Sequence, residues 1–122
     1  MLNILAVGAG GFLGAACRYL IGLIPVNETF LFPIKTFAIN IIGCIVIGLI
    51  AVSASRNNSW NPHVLLFLKV GVCGGFTTFS TFALETTDLL KNGHSMMAFL
   101  YLILSVFVGV AAIFAVEYWS VR

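Results

Sequence analysis

The chain has 122 residues, of which 61% are hydrophobic and only 8% charged, with a formal net charge of +2. A soluble domain carries about 25% charged residues, so this balance describes an integral membrane protein, and so small a charge gives no reason to expect nucleic acid as a partner. Cys17, Cys44 and Cys73 are widely spaced inside apolar segments. That excludes a disulfide framework and a zinc spacing, and leaves them as small packing residues.

Four hydrophobic segments follow in order, at about 3–24, 34–55, 62–90 and 95–119, each near the roughly 20 residues that a bilayer requires. They are expected to form a single all-α transmembrane domain over residues 1–122. The first contains Leu13-Gly14-Ala15-Ala16-Cys17, which has the look of a lipoprotein cleavage site. No Lys or Arg precedes its apolar run, as a signal peptide would require, so it reads as a span. Gly8-x-Gly10-x-x-Leu13 fails the dinucleotide fingerprint at its third glycine. Gly10 and Gly14 lie four apart on one face and would let another backbone come close. Arg18 continues that row, either snorkelling or pairing structurally, or forming an anion vestibule.

In the second segment Thr36, Asn40 and Gly43 make a narrow polar stripe. An amide in lipid needs a hydrogen-bond partner, so Asn40 is either glue between helices or a contact for a permeant species. The third segment opens at Pro62, which suits a first helical turn. It then runs Gly71-Val72-Cys73-Gly74-Gly75-Phe76-Thr77-Thr78-Phe79-Ser80-Thr81-Phe82-Ala83-Leu84-Glu85. Gly74 and Gly75 each cost a helix about 1 kcal/mol relative to alanine, so the helix is expected to break near Gly74–Thr77. Broken helices persist in membranes only when buried in protein or lining a cavity. Beyond the break, Phe79 and Phe82 share a face; Thr78, Thr81 and Glu85 form an adjoining one, and Glu85 is the most inward acid. In the fourth segment Tyr101, Ser105 and Gly109 lie four apart, either a packing seam or a pore wall. Trp60, Tyr118 and Trp119 stand at segment ends, where amphipathic rings favour the interface.

Four spans put both termini on one side. Arg56, Lys69 and Arg122 belong to that side, against Lys35 and Lys91 on the other. So small a bias barely specifies orientation, and a chain that inserts both ways can pair with its inverted copy. Four short helices also offer little interior of their own. An antiparallel, dual-topology homodimer is therefore expected, the two-chain form of an inverted repeat.

Across nearly the whole chain the sequence resembles the small bacterial fluoride channels of the Fluc or CrcB type. The resemblance rests on Gly14-x-x-x-Arg18, Asn40-x-x-Gly43, and Gly74-Gly75-Phe76-Thr77-Thr78-Phe79-Ser80-Thr81-Phe82 with Glu85. It implies a passive, fluoride-selective channel in the inner cell membrane that exports fluoride and relieves its toxicity. It also implies an inverted dimer in lipid, with two fluoride pathways and a structural Na⁺ at its centre, held by the Gly74 and Thr77 carbonyls of both chains. Phe79, Phe82 and Asn40 would line each pathway, Ser80 and Thr81 would belong to a polar track, and Glu85 would stand near the mouth. Tyr101 and Ser105 would form the wall from helix four, while some members carry a hydroxyl where Gly109 stands.

The chemistry suits that implication. Fluoride is small and strongly hydrated, so a pore must replace its water with donors such as an amide N–H₂ or hydroxyls. Phenyl edges are positive and favour an anion without trapping it, so no lysine is needed along the path. A small four-span cation or drug exporter would need an acid deep in the first span, where this chain has only Arg18 as a charge. A non-transporting accessory membrane subunit would pack through its glycine faces and pass no ions. No nucleophile–base pair or metal-ligand cluster points to an enzyme.

Overall fold

A computed structural model describes residues 1–27 and 29–122, and among them only helices, turns and loops occur. Four helical spans are long and apolar enough to cross a membrane: Leu2–Gly22, Ile34–Arg56, Pro62–Lys91 and Ser95–Val121. At 1.5 Å per residue these reach roughly 30 Å or more, the thickness of a hydrocarbon core. We label Leu2–Gly22 α1, Ile34–Arg56 α2, residues 62–76 α3, Phe79–Lys91 α4 and Ser95–Val121 α5. The third span is thus two elements, α3 and α4, separated at Thr77 and Thr78.

Local chemistry sets the ends. Asn61 caps α3 by accepting the His63 N–H at 2.9 Å, and Pro62 occupies the first turn, where no N–H is needed. Lys35 donates to the Gly22 carbonyl at 2.7 Å and so caps the C-terminus of α1. Gly93, at φ 80°, closes α4 in a left-handed turn. There the His94 N–H returns to the Leu89 carbonyl at 2.8 Å and the Gly93 N–H to that of Leu90 at 3.2 Å.

The packing is built on glycine. α1 lies along α3, and α2 along α5. A Cβ added to Gly75 would come within 2.6 Å of the Gly11 carbonyl oxygen, and one on Gly71 within 2.8 Å of the Gly10 Cα. At Gly10 and Gly14 it would overlap the Phe67 and Val72 carbonyls. The two backbones are therefore in direct contact, the arrangement that small residues make favourable where lipid removes any hydrophobic drive. Opposite this stripe, Phe67–Cys73 widens into a π-helix, an irregularity the sequence pattern did not announce.

Gly74 and Gly75 do not themselves break the helix, contrary to the expectation from propensity. Both are helical, within the turn Gly74–Phe76, and the chain leaves the helix at Thr77 (φ −79°, ψ 158°) and Thr78 (φ −148°, ψ 117°). Close approach to α1 outweighs the cost of about 1 kcal/mol at Gly75. No atom lies within 4 Å of where a Gly74 Cβ would stand.

Candidate functional site

The break is held open by side chains from other spans. Thr78 Oγ1 accepts the Thr81 N–H at 3.2 Å and so caps α4. Asn40, from α2, engages both backbone groups of Thr78: its Oδ1 accepts the N–H at 2.9 Å and its Nδ2 donates to the carbonyl at 3.1 Å. Arg18 Nε, from α1, donates to the Gly75 carbonyl at 3.2 Å. The Thr77 N–H and hydroxyl both donate to the Cys73 carbonyl, at 3.0 and 2.8 Å.

These bonds decide which carbonyls are left over. In an unbroken helix the Gly74 carbonyl would receive the Thr78 N–H, and the Thr77 carbonyl the Thr81 N–H. Asn40 takes the first donor and Thr78 Oγ1 the second. Gly74 and Thr77 thus present carbonyl oxygens released from the helical ladder, and Gly74 faces open space. Such hard, neutral oxygens fit a hard cation better than a soft one. Among the described residues no group of three or more His, Cys, Asp or Glu side chains could hold a metal.

Below the break, a cavity of about 400 Å³ opens between α2, α3, α4 and α5. It brings together Asn40, Gly74, Thr77, Phe79, Phe82 and Ser105. Asn40 uses one amide N–H on Thr78 and retains a second. Ser105 Oγ is buried with no hydrogen-bond partner. The Phe79 and Phe82 centroids are 5.8 Å apart with planes tilted by 56°. Their surroundings differ sharply, since Phe82 is 8% exposed whereas Phe79 is 79% exposed. Lys69, read from the sequence as lying near the loop that carries Arg56, borders this same cavity.

The remaining sequence-predicted residues lie elsewhere. Tyr101 is fully buried, packed edge-on to Phe82 at 4.9 Å and to Phe32 at 5.3 Å. Its hydroxyl donates to Glu85 Oε2 at 3.4 Å, and the Thr36 hydroxyl donates to Glu85 Oε1. Glu85 lines two further cavities, of about 430 and 540 Å³, both bordered by Phe30, Phe32 and Pro33. Arg18 and Thr81 share a further cavity with Lys35, Thr36 and Thr78. Ser80 is exposed, its Oγ 3.4 Å from Thr78 Oγ1. Three partners escaped sequence reasoning as such. Thr36 stood on the Asn40 stripe, but its pairing with Glu85 spans 49 residues. Thr78 stood in the motif without its double bond to Asn40. Phe32, in a connection, carried no signal.

Comparison with known proteins gives this geometry a family. The profile described as "CrcB-like protein, Camphor Resistance (CrcB)" matches residues 5–116. The chain belongs to the CrcB-like family. Curated relatives include the "Fluoride-specific ion channel FluC" of Gloeothece citriformis, 47% identical over 115 residues and 93% of each chain. The protein of the same name from Chlorobaculum tepidum is 44% identical over 116 residues, covering 94% of this chain and 91% of the relative. That of Flavobacterium psychrophilum is 43% identical over 115 residues, covering 92% and 91%. As a CrcB-like protein the chain is a multi-pass membrane protein in which the irregular backbone of the third span is stabilised by α1 and α2.

Proposed function

We propose that this CrcB-like chain is a passive, fluoride-selective ion channel that lets fluoride out across the inner membrane and so relieves its toxicity. The observation that carries the reading is the cavity lined by Asn40, Phe79, Phe82 and Ser105, where the Asn40 amide has a second N–H beyond the one it spends on Thr78. Donors replace the water of a strongly hydrated small anion, and ring edges favour it without holding it. The names of the relatives point the same way. They lend nothing to a cation exporter or an accessory subunit.

The working unit in this reading is a homodimer with an inverted second copy. Phe79 stands 79% exposed beside the break, and the cavity is open along one side, so one chain encloses no pathway. A second copy in opposite orientation would cover both and bring two sets of Gly74 and Thr77 carbonyls together. Those carbonyls would hold Na⁺, which supplies a fixed positive charge that offsets anion desolvation in a low-dielectric centre. Thr81 and Ser80 would continue the polar lining. Glu85, held by Thr36 and Tyr101, would sit near a mouth, with Arg18 beside the break.

The test is fluoride release from KF-loaded liposomes carrying the purified protein, started with a potassium ionophore and read by a fluoride electrode, with chloride-loaded vesicles in parallel. Rapid fluoride release with chloride retained is expected. Silence for both anions from a folded protein would sink the reading.

A further inference from the structure

We infer that Lys69 is the anion-collecting residue of the pathway, stationed at the end of the cavity away from Glu85. The inference rests on the channel reading above and adds to it a specific electrostatic device.

Lys69 lies in the π-helical stretch Phe67–Cys73, and with Cys73 and Thr77 it makes a row at intervals of four that borders the cavity. It stands well inside the span, between the start at Pro62 and the break at Thr77. A cation that far inside a span is costly unless it faces a water-filled cavity or a partner. Lys69 is exposed on the single chain, and no acid is among the residues that line this cavity.

The opposite direction along the same span carries the opposite charge. Phe82 borders the cavity and packs edge-on against Tyr101, whose hydroxyl donates to Glu85. The row from Lys69 through Phe79 and Phe82 to Glu85 thus runs from an ammonium to a carboxylate held by two hydroxyls. A cleft with low-dielectric walls focuses the field of a charge at its rim and raises the local concentration of the oppositely charged ion. Lysine suits this task because its compact ammonium stays hydrated at the end of a long stem and attracts an anion without a rigid bidentate clamp. Weak, hydrated attraction at the rim also preserves release, which conduction requires.

The test compares the full-length wild type with Lys69→Gln and Lys69→Arg in liposomes, measuring initial fluoride efflux against fluoride concentration. Each series is run at about 0.01 M and about 1 M inert salt, where the Debye length is about 30 Å and about 3 Å. Lys69→Gln is expected to lower the rate about tenfold at low salt and subsaturating fluoride. The deficit should close at high salt and at saturating fluoride, and Lys69→Arg should keep most of the wild-type rate. Equal rates for Lys69→Gln and wild type would overturn the inference. So would a deficit independent of salt and fluoride, or a Lys69→Gln that no longer folds while Lys69→Arg does, since either makes the lysine structural. A wild type that passes no fluoride would overturn the channel reading and this inference with it.

Discussion

Asn40 grips Thr78 by both of its backbone groups, accepting the N–H at 2.9 Å and donating to the carbonyl at 3.1 Å. One side chain on α2 thereby satisfies the two polar groups that a broken helix would otherwise leave bare in lipid. It also diverts the donor that would have occupied the Gly74 carbonyl. The residue read from the sequence as either glue or permeant contact acts as glue between spans, and it also lines the cavity.

Asn40→Ala orphans both Thr78 groups. Each buried unsatisfied group costs about 1–3 kcal/mol, so a clear loss of thermal stability in detergent is expected together with loss of fluoride flux. Asn40→Asp keeps the acceptor and loses the donor, and should fall between wild type and Asn40→Ala in stability. An Asn40→Ala protein that melts with the wild type would show that the grip is incidental.

Thr78→Ala removes the cap of α4 and frees the Thr81 N–H to pair with the Thr77 carbonyl. A lost N-cap costs about 0.5–2 kcal/mol, and Thr78→Ser should restore most of it. If the Thr77 carbonyl helps to hold Na⁺, thermal stability in Thr78→Ala should also lose its dependence on Na⁺. A melting temperature for Thr78→Ala that still rises with added Na⁺ as in the wild type would remove that site.

Two adjacent glycines should behave in opposite ways. Gly75→Ala drives a methyl to within 2.6 Å of the Gly11 carbonyl oxygen, so the α1–α3 contact must separate and little folded protein should be recovered. Gly74→Ala meets nothing within 4 Å on its own chain. It should fold as a single chain yet weaken the dimer or its response to Na⁺, read by cross-linking and by thermal melts. Full dimer with unchanged Na⁺ response in Gly74→Ala would argue that no second copy approaches there.

Phe82→Ile and Phe79→Ile separate packing from permeation. Phe82 is 8% exposed and wedged against Tyr101, so its truncation should cut flux and also lower stability by about 1–3 kcal/mol. Phe79 has little packing within the chain, so Phe79→Ile should cut flux several-fold while the dimer, followed by size-exclusion chromatography, persists. Unchanged flux in both variants would remove the aromatic mechanism.

The sequence by itself determined the four spans, because apolar runs near 20 residues with few charges have no stable place outside a bilayer. It also located the break to within a few residues, since Gly74-Gly75 followed by Thr77-Thr78 is poor material for a membrane helix, and its motifs pointed to the CrcB-like family. Propensity misjudged which residues break: the glycines stay helical, and the threonines leave. Only the tertiary structure decided that, because Gly75 is committed to the backbone of Gly11 while Asn40 and Thr78 Oγ1 offer the chain better partners than the helical ladder does. The same holds for Thr36 with Glu85 and for the cavity that Lys69 shares with Asn40 and Ser105. Periodicity orders residues around one helix, but the axial offset and rotation between helices decide which stripes meet. Those follow from contacts between backbones, made where glycine allows them.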